Sequence, residues 1–217
     1  MLRRLGRTNG APASTRSCWT GRVGIHSLIV NIARQLRYSY EDYLRALEES
    51  DIKLEYSGGV IHAMAGGTLT HASLSARIIG LLHSALGGRC TVMTSDAKVR
   101  VETSDFAGFP DASVVGGERI TSPIDPHALI NPTLLVEVTS RSTEAYDRGE
   151  KLAHYQALAS LRAVVFVSHR EGRVRLVSRE DGRWEERDFE GGEVVIRQPE
   201  VRFNVADVYA GIDLDPV

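Results

Sequence analysis

The chain has 217 residues and a mass of 23.8 kDa, which suits a single domain with its own core and leaves room for a small appendage. Hydrophobic residues make up 42%, yet no apolar run approaches the eighteen or so residues needed to span a bilayer, so a membrane-embedded protein is not expected. The net charge of −2 divides unevenly. Residues 1–40 hold seven arginines and no acid, while the remainder carries 19 basic side chains against 28 acidic ones, a body charge near −9 that argues against nonspecific nucleic-acid binding over the whole surface.

The basic N-terminal stretch mixes Gly, Ala, Pro, Ser, Thr and Arg without apolar periodicity. Residues 1–37 are therefore read as an extension outside the fold, and 38–217 as the domain. The two cysteines, Cys18 and Cys90, make no disulfide framework and fit a reducing cytoplasmic compartment.

The first predicted element is a short helix in SYEDYLRALEES, capped by Ser39 with Asp42 three positions on, its face carrying Tyr43, Leu44 and Leu47. KLEYSGGVIHAMAG follows as a hairpin turning at Ser57-Gly58-Gly59. In THASLSARIIGLLHSALGG, Leu74, Ile78, Leu81, Leu82 and Leu86 recur at helical spacing, and Gly87-Gly88 closes the helix. Three strand candidates come next: 90–102, 109–116 and 132–138. A second helix is predicted over 147–159, capped by Asp147, with Leu152, Tyr155, Leu158 and Ala159 inward. AVVFVS (163–168) reads as a strand covered on both faces, and the following segments as antiparallel edge strands turning at Asp181-Gly182. The order predicts an α+β domain, a mixed central sheet flanked by helices.

Several kinds of site are excluded by what is missing. The sequence contains no phosphate-binding G-x-x-x-x-G-K-[ST] loop, no G-x-G-x-x-G, no H-E-x-x-H and no G-x-S-x-G. Two carboxylates stand out instead. Asp111 follows Pro110, and Glu137 sits inside the apolar run LLVEV, where a charge is tolerated only with an ion-pair partner, a proton or a metal. If their strands pair, both carboxylates lie on one face and can share a hard divalent cation. Lys151, expected one turn into the following helix, has the reach to meet Glu137. An aspartate, a glutamate and a lysine converging are the working parts of a metal-dependent phosphodiesterase. The plainer alternative is a Glu137–Lys151 ion pair with Asp111 far away, or a solvated Lys151 paired with Asp147.

The segments YSYEDYL, LEYSGGVIHAMAGGTLTH, SDAKVRV, FPDASVV, NPTLLVEVTSRSTEAYDRGEKLAHY and VADVYAGIDL, spread over about 180 residues, resemble the Uma2 family (DUF820). That family is placed in the PD-(D/E)XK restriction-endonuclease-like superfamily. The resemblance implies a Mg²⁺-dependent endonuclease acting on DNA, with Mn²⁺ as a substitute. It makes Pro110-Asp111 the PD element and Glu137 the following acid. Thr139 stands where E-x-K has its lysine, so Lys151 from the next helix takes that role. The resemblance further implies that the Val138 carbonyl and Glu55 act as metal ligands, and that His71 is a substrate contact. A homodimer is one way for such a nuclease to cut both strands. Ser57-Gly58-Gly59 departs from the family's acidic D-G-E, which leaves open a catalytically lapsed module that binds DNA or protein.

Overall fold

The computed structural model describes residues 37–64, 66–140 and 143–215. The extension expected over 1–37 lies outside these, apart from Arg37, whose guanidinium donates to the Gly58 carbonyl at 3.1 Å.

Fourteen strands and a few helices alternate through these residues. Helix α1 (Tyr40–Glu48) is opened by a capping box between Ser39 and Asp42, as predicted. Strands β1 (Leu54–Ser57) and β2 (Val60–Ala63) form the expected hairpin. Ser57 pairs with Val60, so Gly58 and Gly59 make the whole loop, with φ of 51° and 94°. Two successive positive φ values define a loop whose twist suits the hairpin and which glycine enters without steric penalty. Helix α2 (Leu69–Leu86) starts at the Thr68 cap and ends on a left-handed Gly87; it buries Leu74, Ile78, Leu82 and Leu86, one residue per turn.

The segment predicted as one strand over 90–102 is two. β3 (Cys90–Thr94) and β4 (Lys98–Val101) belong to different sheets, separated by a turn at 95–97. A 3₁₀ turn leads to β5 (Phe106–Gly108), then β6 (Ala112–Gly116). β7 (Thr121–Ser122) and β8 (Asp125–Leu129) follow in a proline-bearing stretch read from sequence as a loop. β9 (Leu134–Thr139) is buried along its whole length. The next helical segment comprises α3 (Glu144–Tyr146), a π-helical turn (Asp147–Lys151) and α4 (Leu152–Gln156). It starts earlier and ends sooner than predicted, and Ala159 is exposed beyond it. β10 (Ala163–Ser168) is the apolar strand expected, and β11 (Val174–Glu180) and β12 (Arg183–Phe189) turn at Asp181-Gly182. β13 (Glu193–Ile196) and β14 (Val201–Asn204) make a separate ribbon before α5 (Val205–Tyr209).

Two six-stranded mixed sheets result, in the orders β2-β1-β5-β4-β8-β7 and β12-β11-β10-β9-β6-β3. β9 and β10 run parallel, joined by the α3–α4 crossover, as parallel neighbours require. Alternation along the strands sorts side chains into layers. Leu134, Val136 and Val138 pack with α2, the β13–β14 ribbon and α5. Leu135 packs on the opposite face with Leu152, Tyr155 and Leu158 and with Val99, Val101 and Phe106 of the first sheet. The far face of that sheet is covered by Tyr40 and Tyr43 of α1, against Tyr56 and Ala107. Glu137 shares the face of Leu135, so the fold aims it into the layer between the two sheets.

Candidate functional site

Glu137 is 4% exposed. Its Oε1 lies 3.0 Å from Lys151 Nζ and accepts the Tyr155 hydroxyl at 2.7 Å. Lys151, equally buried, also lies 2.9 Å from Glu55 Oε1 and 3.7 Å from Asp147 Oδ1. One ammonium thus joins β1 of the first sheet, β9 of the second and the π turn between them. A buried cation needs such partners, because the desolvation cost of one unpaired charge is several kcal/mol or more.

Each position follows from local structure. Glu55 alternates with Tyr56, which faces α1, so the carboxylate points the other way, toward Lys151. Its Oε1 also accepts the Phe109 N–H at 3.2 Å. A Cβ on Gly108 would lie 2.8 Å from that oxygen, so the absence of a side chain there lets β5 pass the carboxylate. The π turn sets Asp147 and Lys151 both inward. Asp147 is therefore not the helix cap that the sequence led us to expect: it lies past the helix start, buried. Lys151 sits seven residues after Glu144, not in the first turn. Turns of this type are frequent at functional sites.

Asp111 closes the other end. β6 and β9 pair antiparallel with Ala112 opposite Val136, and one further step of that register sets Asp111 opposite Glu137. Asp111 Oδ2 accepts the Val138 N–H at 2.7 Å. A strand residue directs its N–H and C=O to the same edge, so the Val138 carbonyl lies on Asp111's side of β9. Asp111 Oδ1 meets His71 Nε2 at 3.3 Å and Ser75 Oγ at 3.5 Å. The Asp111 and His71 side chains are 13% and 25% exposed, so the cluster opens to solvent here.

Three carboxylates (Glu55, Glu137, Asp147) surround one ammonium, with Asp111 opposite Glu137, and the titration behaviour reflects the surplus. Burial drives the Glu137 pKa well up; Lys151 opposes this, but Asp147, Asp111 and Glu55 reinforce it. Burial likewise raises Asp147 against the pull of Lys151. For Lys151 burial acts downward, and Glu137, Glu55 and Asp147 outweigh it, so its pKa rises and the ammonium persists. The hydrogen bond with Asp111 raises His71.

The structure thus brings Glu55, Asp111, Glu137, Val138 and Lys151 to one place, with His71 beside Asp111. The ion pair of the plainer reading exists, but Asp111 is near rather than far, and neither Glu55 nor Lys151 is solvated. Among the described residues no three acidic or histidine side chains are gathered at metal-ligating distances. The donors fit a hard cation such as Mg²⁺ nonetheless, because that ion is bound through one or two carboxylates and keeps several waters. The excess of buried carboxylate provides the charge. Tyr155 was read from sequence only as part of an apolar face, although its spacing four residues after Lys151 puts both on one side of the helix.

The fold is α+β, with mixed sheets flanked by a few helices. The profile of the Uma2 family, described as "Putative restriction endonuclease", matches residues 40–209, and the chain belongs to that family. The chain is 32% identical over 179 residues to "Uncharacterized protein slr1290" of Synechocystis sp., covering 81% of this chain and 93% of that one. A second Synechocystis protein, "Uncharacterized protein sll1609", is 27% identical over 127 residues, which is 58% of this chain and 72% of the relative. A crystal structure of a "putative nuclease belonging to DUF820" from Anabaena variabilis superposes with a TM-score of 0.64 at 15% identity, covering 78% of this chain and 96% of its own. Among the described residues no helix is long and apolar enough to cross a membrane.

Proposed function

We propose that the protein is a divalent-metal-dependent endonuclease that hydrolyses DNA phosphodiester bonds. The observation that carries this reading is Glu137: a buried carboxylate at the end of a central strand, opposite Asp111, in a cluster with more negative charge than its lysine offsets. Asp111, Glu137 and the Val138 carbonyl would hold Mg²⁺ or Mn²⁺, with Glu55 as an auxiliary ligand. When bound, the ion supplies Lewis-acid polarisation of the phosphoryl group and offsets charge in the transition state.

The protein's own groups do the rest. Lys151 presents a permanent positive charge to the attacking water and to the developing phosphorane charge, held by Glu55 so that its ammonium stays beside Glu137. Tyr155 fixes the Glu137 carboxylate by donating to one oxygen. The Val138 amide orients Asp111, and His71, at the open end, meets the substrate backbone. The acidic body confines nucleic-acid contact to local surfaces.

The test is Mn²⁺ and Mg²⁺ titration calorimetry on the wild type, Asp111→Ala and Glu137→Ala, with plasmid nicking on the same preparations. Binding and nicking lost together in both variants support the proposal. Binding without nicking of any DNA supports the lapsed module instead, a reading favoured by the missing hairpin acids at Ser57-Gly58-Gly59. Absence of binding sinks the metal-dependent mechanism.

A further inference from the structure

Beside the carboxylate cluster, the N-terminus of α2 carries an anion supplied by the chain itself. Asp215, in the last described segment, lays its carboxylate across the helix start: Oδ2 accepts the Thr68 hydroxyl at 2.9 Å and Oδ1 the Thr70 hydroxyl at 2.7 Å. The segment is pinned on both sides. The Thr70 hydroxyl also reaches the Asp213 carbonyl at 3.0 Å, and the Asp215 N–H donates to the His169 carbonyl at 3.1 Å, just past the end of β10. Hydrogen bonds from Thr70 and Thr68 hold the Asp215 carboxyl below its ordinary range, so it is ionised at neutral pH.

The local sequence suits an anion. Gly66-Gly67-Thr68 leads into a helix of 18 residues with no acidic side chain in its first turn, so nothing of its own offsets the positive end. A Cβ on Gly67 would lie 2.7 Å from His71 Nδ1, so glycine lets the entering chain pass that ring. Gly66, Gly67, Thr68 and Leu69 are exposed, which leaves the approach open. His169 gives an independent sign. It is 6% exposed, and its Nδ1 lies 3.1 Å from Asp215 Oδ2, which favours the tautomer with the proton there, yet it makes no hydrogen bond. A buried donor left unmet beside the carboxylate means that the carboxylate does not fill the seat. Its two oxygens are spent on the threonines. A backbone phosphate, with tetrahedral oxygens wider apart and ester oxygens besides, can meet Thr68, Thr70 and His169 together. The seat also adjoins the open end of the cluster: Thr68 Oγ1 accepts the His71 N–H at 3.2 Å, and the His71 ring meets Asp111.

We propose that Thr68, Thr70, His169 and the N-terminus of α2 bind one backbone phosphate of the nucleic acid, near the one cleaved, and that Asp215 occupies this seat until the substrate displaces it. The inference rests on the nucleic-acid reading of the site above, but not on cleavage. Displacement is inexpensive: among the described residues no lysine or arginine is paired with Asp215, and hydroxyl hydrogen bonds at a partly exposed position are readily exchanged.

The test follows binding of a short fluorescent DNA duplex to the full chain by anisotropy, with a chelator present so that no strand is cut. Wild type is compared with Asp215→Ala, with the double variant Asp215→Ala/Thr70→Val, and with Glu48→Gln, which removes one exposed negative charge at the end of α1. Removing the competing carboxylate is expected to tighten duplex binding about tenfold. Glu48→Gln should change it by less than about twofold, because a distant exposed charge is screened. Adding Thr70→Val, which keeps the side-chain shape, should return most of the gain, and melting curves establish that each variant is folded. Asp215→Ala that binds no more tightly than wild type overturns the inference and leaves Asp215 as an anchor of its own segment. So does a gain that Glu48→Gln matches or that Thr70→Val does not reduce, and so does the absence of duplex binding by every variant. Failure of the nuclease reading looks different: the gain in duplex affinity without nicking in Mn²⁺ keeps the seat and assigns the protein to the lapsed module.

Discussion

Asp111 and Val138 are joined by a 2.7 Å hydrogen bond from the strand amide to the carboxylate, and this bond ties the start of β6 to the end of β9. The carboxylate takes the Val138 N–H, which lies two residues along β9 from the last paired position, Val136 opposite Ala112. Asp111 is thereby oriented before any ligand arrives, with its other oxygen directed to His71 and Ser75. Removing the carboxylate should loosen the strand end as well as abolish cleavage. Asp111→Asn keeps an acceptor for the Val138 amide, so it should be destabilised by no more than about 1 kcal/mol, whereas Asp111→Ala leaves a donor unmet and should lose about 1–3 kcal/mol. Urea unfolding of the two variants provides the measurement, and equal losses would show that the bond does not orient the site.

Among the described residues Lys151 is the one cation paired with Glu55, Glu137 and Asp147. Lys151→Met should strand three buried carboxylates, at a cost of about 3–5 kcal/mol, and eliminate cleavage. Denaturant midpoints in the variant and wild type decide this. A variant as stable as wild type would mean that the carboxylates are protonated or solvated already, and the ion-pair network would be discarded.

Glu137→Gln should behave in the opposite sense. Burial and neighbouring carboxylates act against the Glu137 charge, so a neutral isostere relieves repulsion and still accepts the Tyr155 hydroxyl. The variant should unfold at an equal or higher temperature than wild type while Mn²⁺ binding weakens by about a hundredfold. Functional groups held at the expense of stability behave this way. A large fall in melting temperature would show that Glu137 is mainly a structural partner of Lys151.

The core was legible because its signals are periodic. The fourfold spacing of Leu74, Ile78, Leu82 and Leu86 and the uninterrupted AVVFVS run each correspond to one buried environment, and both appear where expected. Asp111, Glu137 and Lys151 were conspicuous as charges at odds with their neighbours. The splitting of 90–102 was not legible, because β3 and β4 have similar composition and only their partners, β6 for one and β5 and β8 for the other, separate them. Asp147 illustrates a second limit. An aspartate before a helical pattern is a common cap, but the helix starts earlier, and the π turn rotates Asp147 inward. Local spacing does not encode that rotation, which places Asp147 beside the buried Lys151 ammonium. Tyr155 shows the third: its ring satisfies the apolar pattern, while its hydroxyl's partner lies on another element.

The buried pair on the other side of the first sheet gives the pH dependence. Lys98 Nζ meets Asp125 Oδ2 at 2.7 Å, and the Tyr40 hydroxyl donates to the same oxygen at 2.6 Å, with both charged side chains almost inaccessible. Burial pushes the Asp125 carboxyl up, but the bonds from Lys98 and Tyr40 prevail and hold it below the ordinary aspartate value. A carboxyl depressed in the folded state contributes stability that is present above its unfolded pKa of about 3.9 and is lost as pH falls through the folded value. Asp125→Asn should therefore be about 3–5 kcal/mol less stable than wild type at pH 7, since Lys98 is left buried without its counter-charge. The deficit should narrow below about pH 4, where wild type begins to lose the same interaction. Chemical denaturation of both proteins at pH 7 and pH 3 measures it. A deficit of the same size at both would assign the loss to the hydrogen-bond geometry of the Tyr40–Asp125–Lys98 group and remove charge from the explanation.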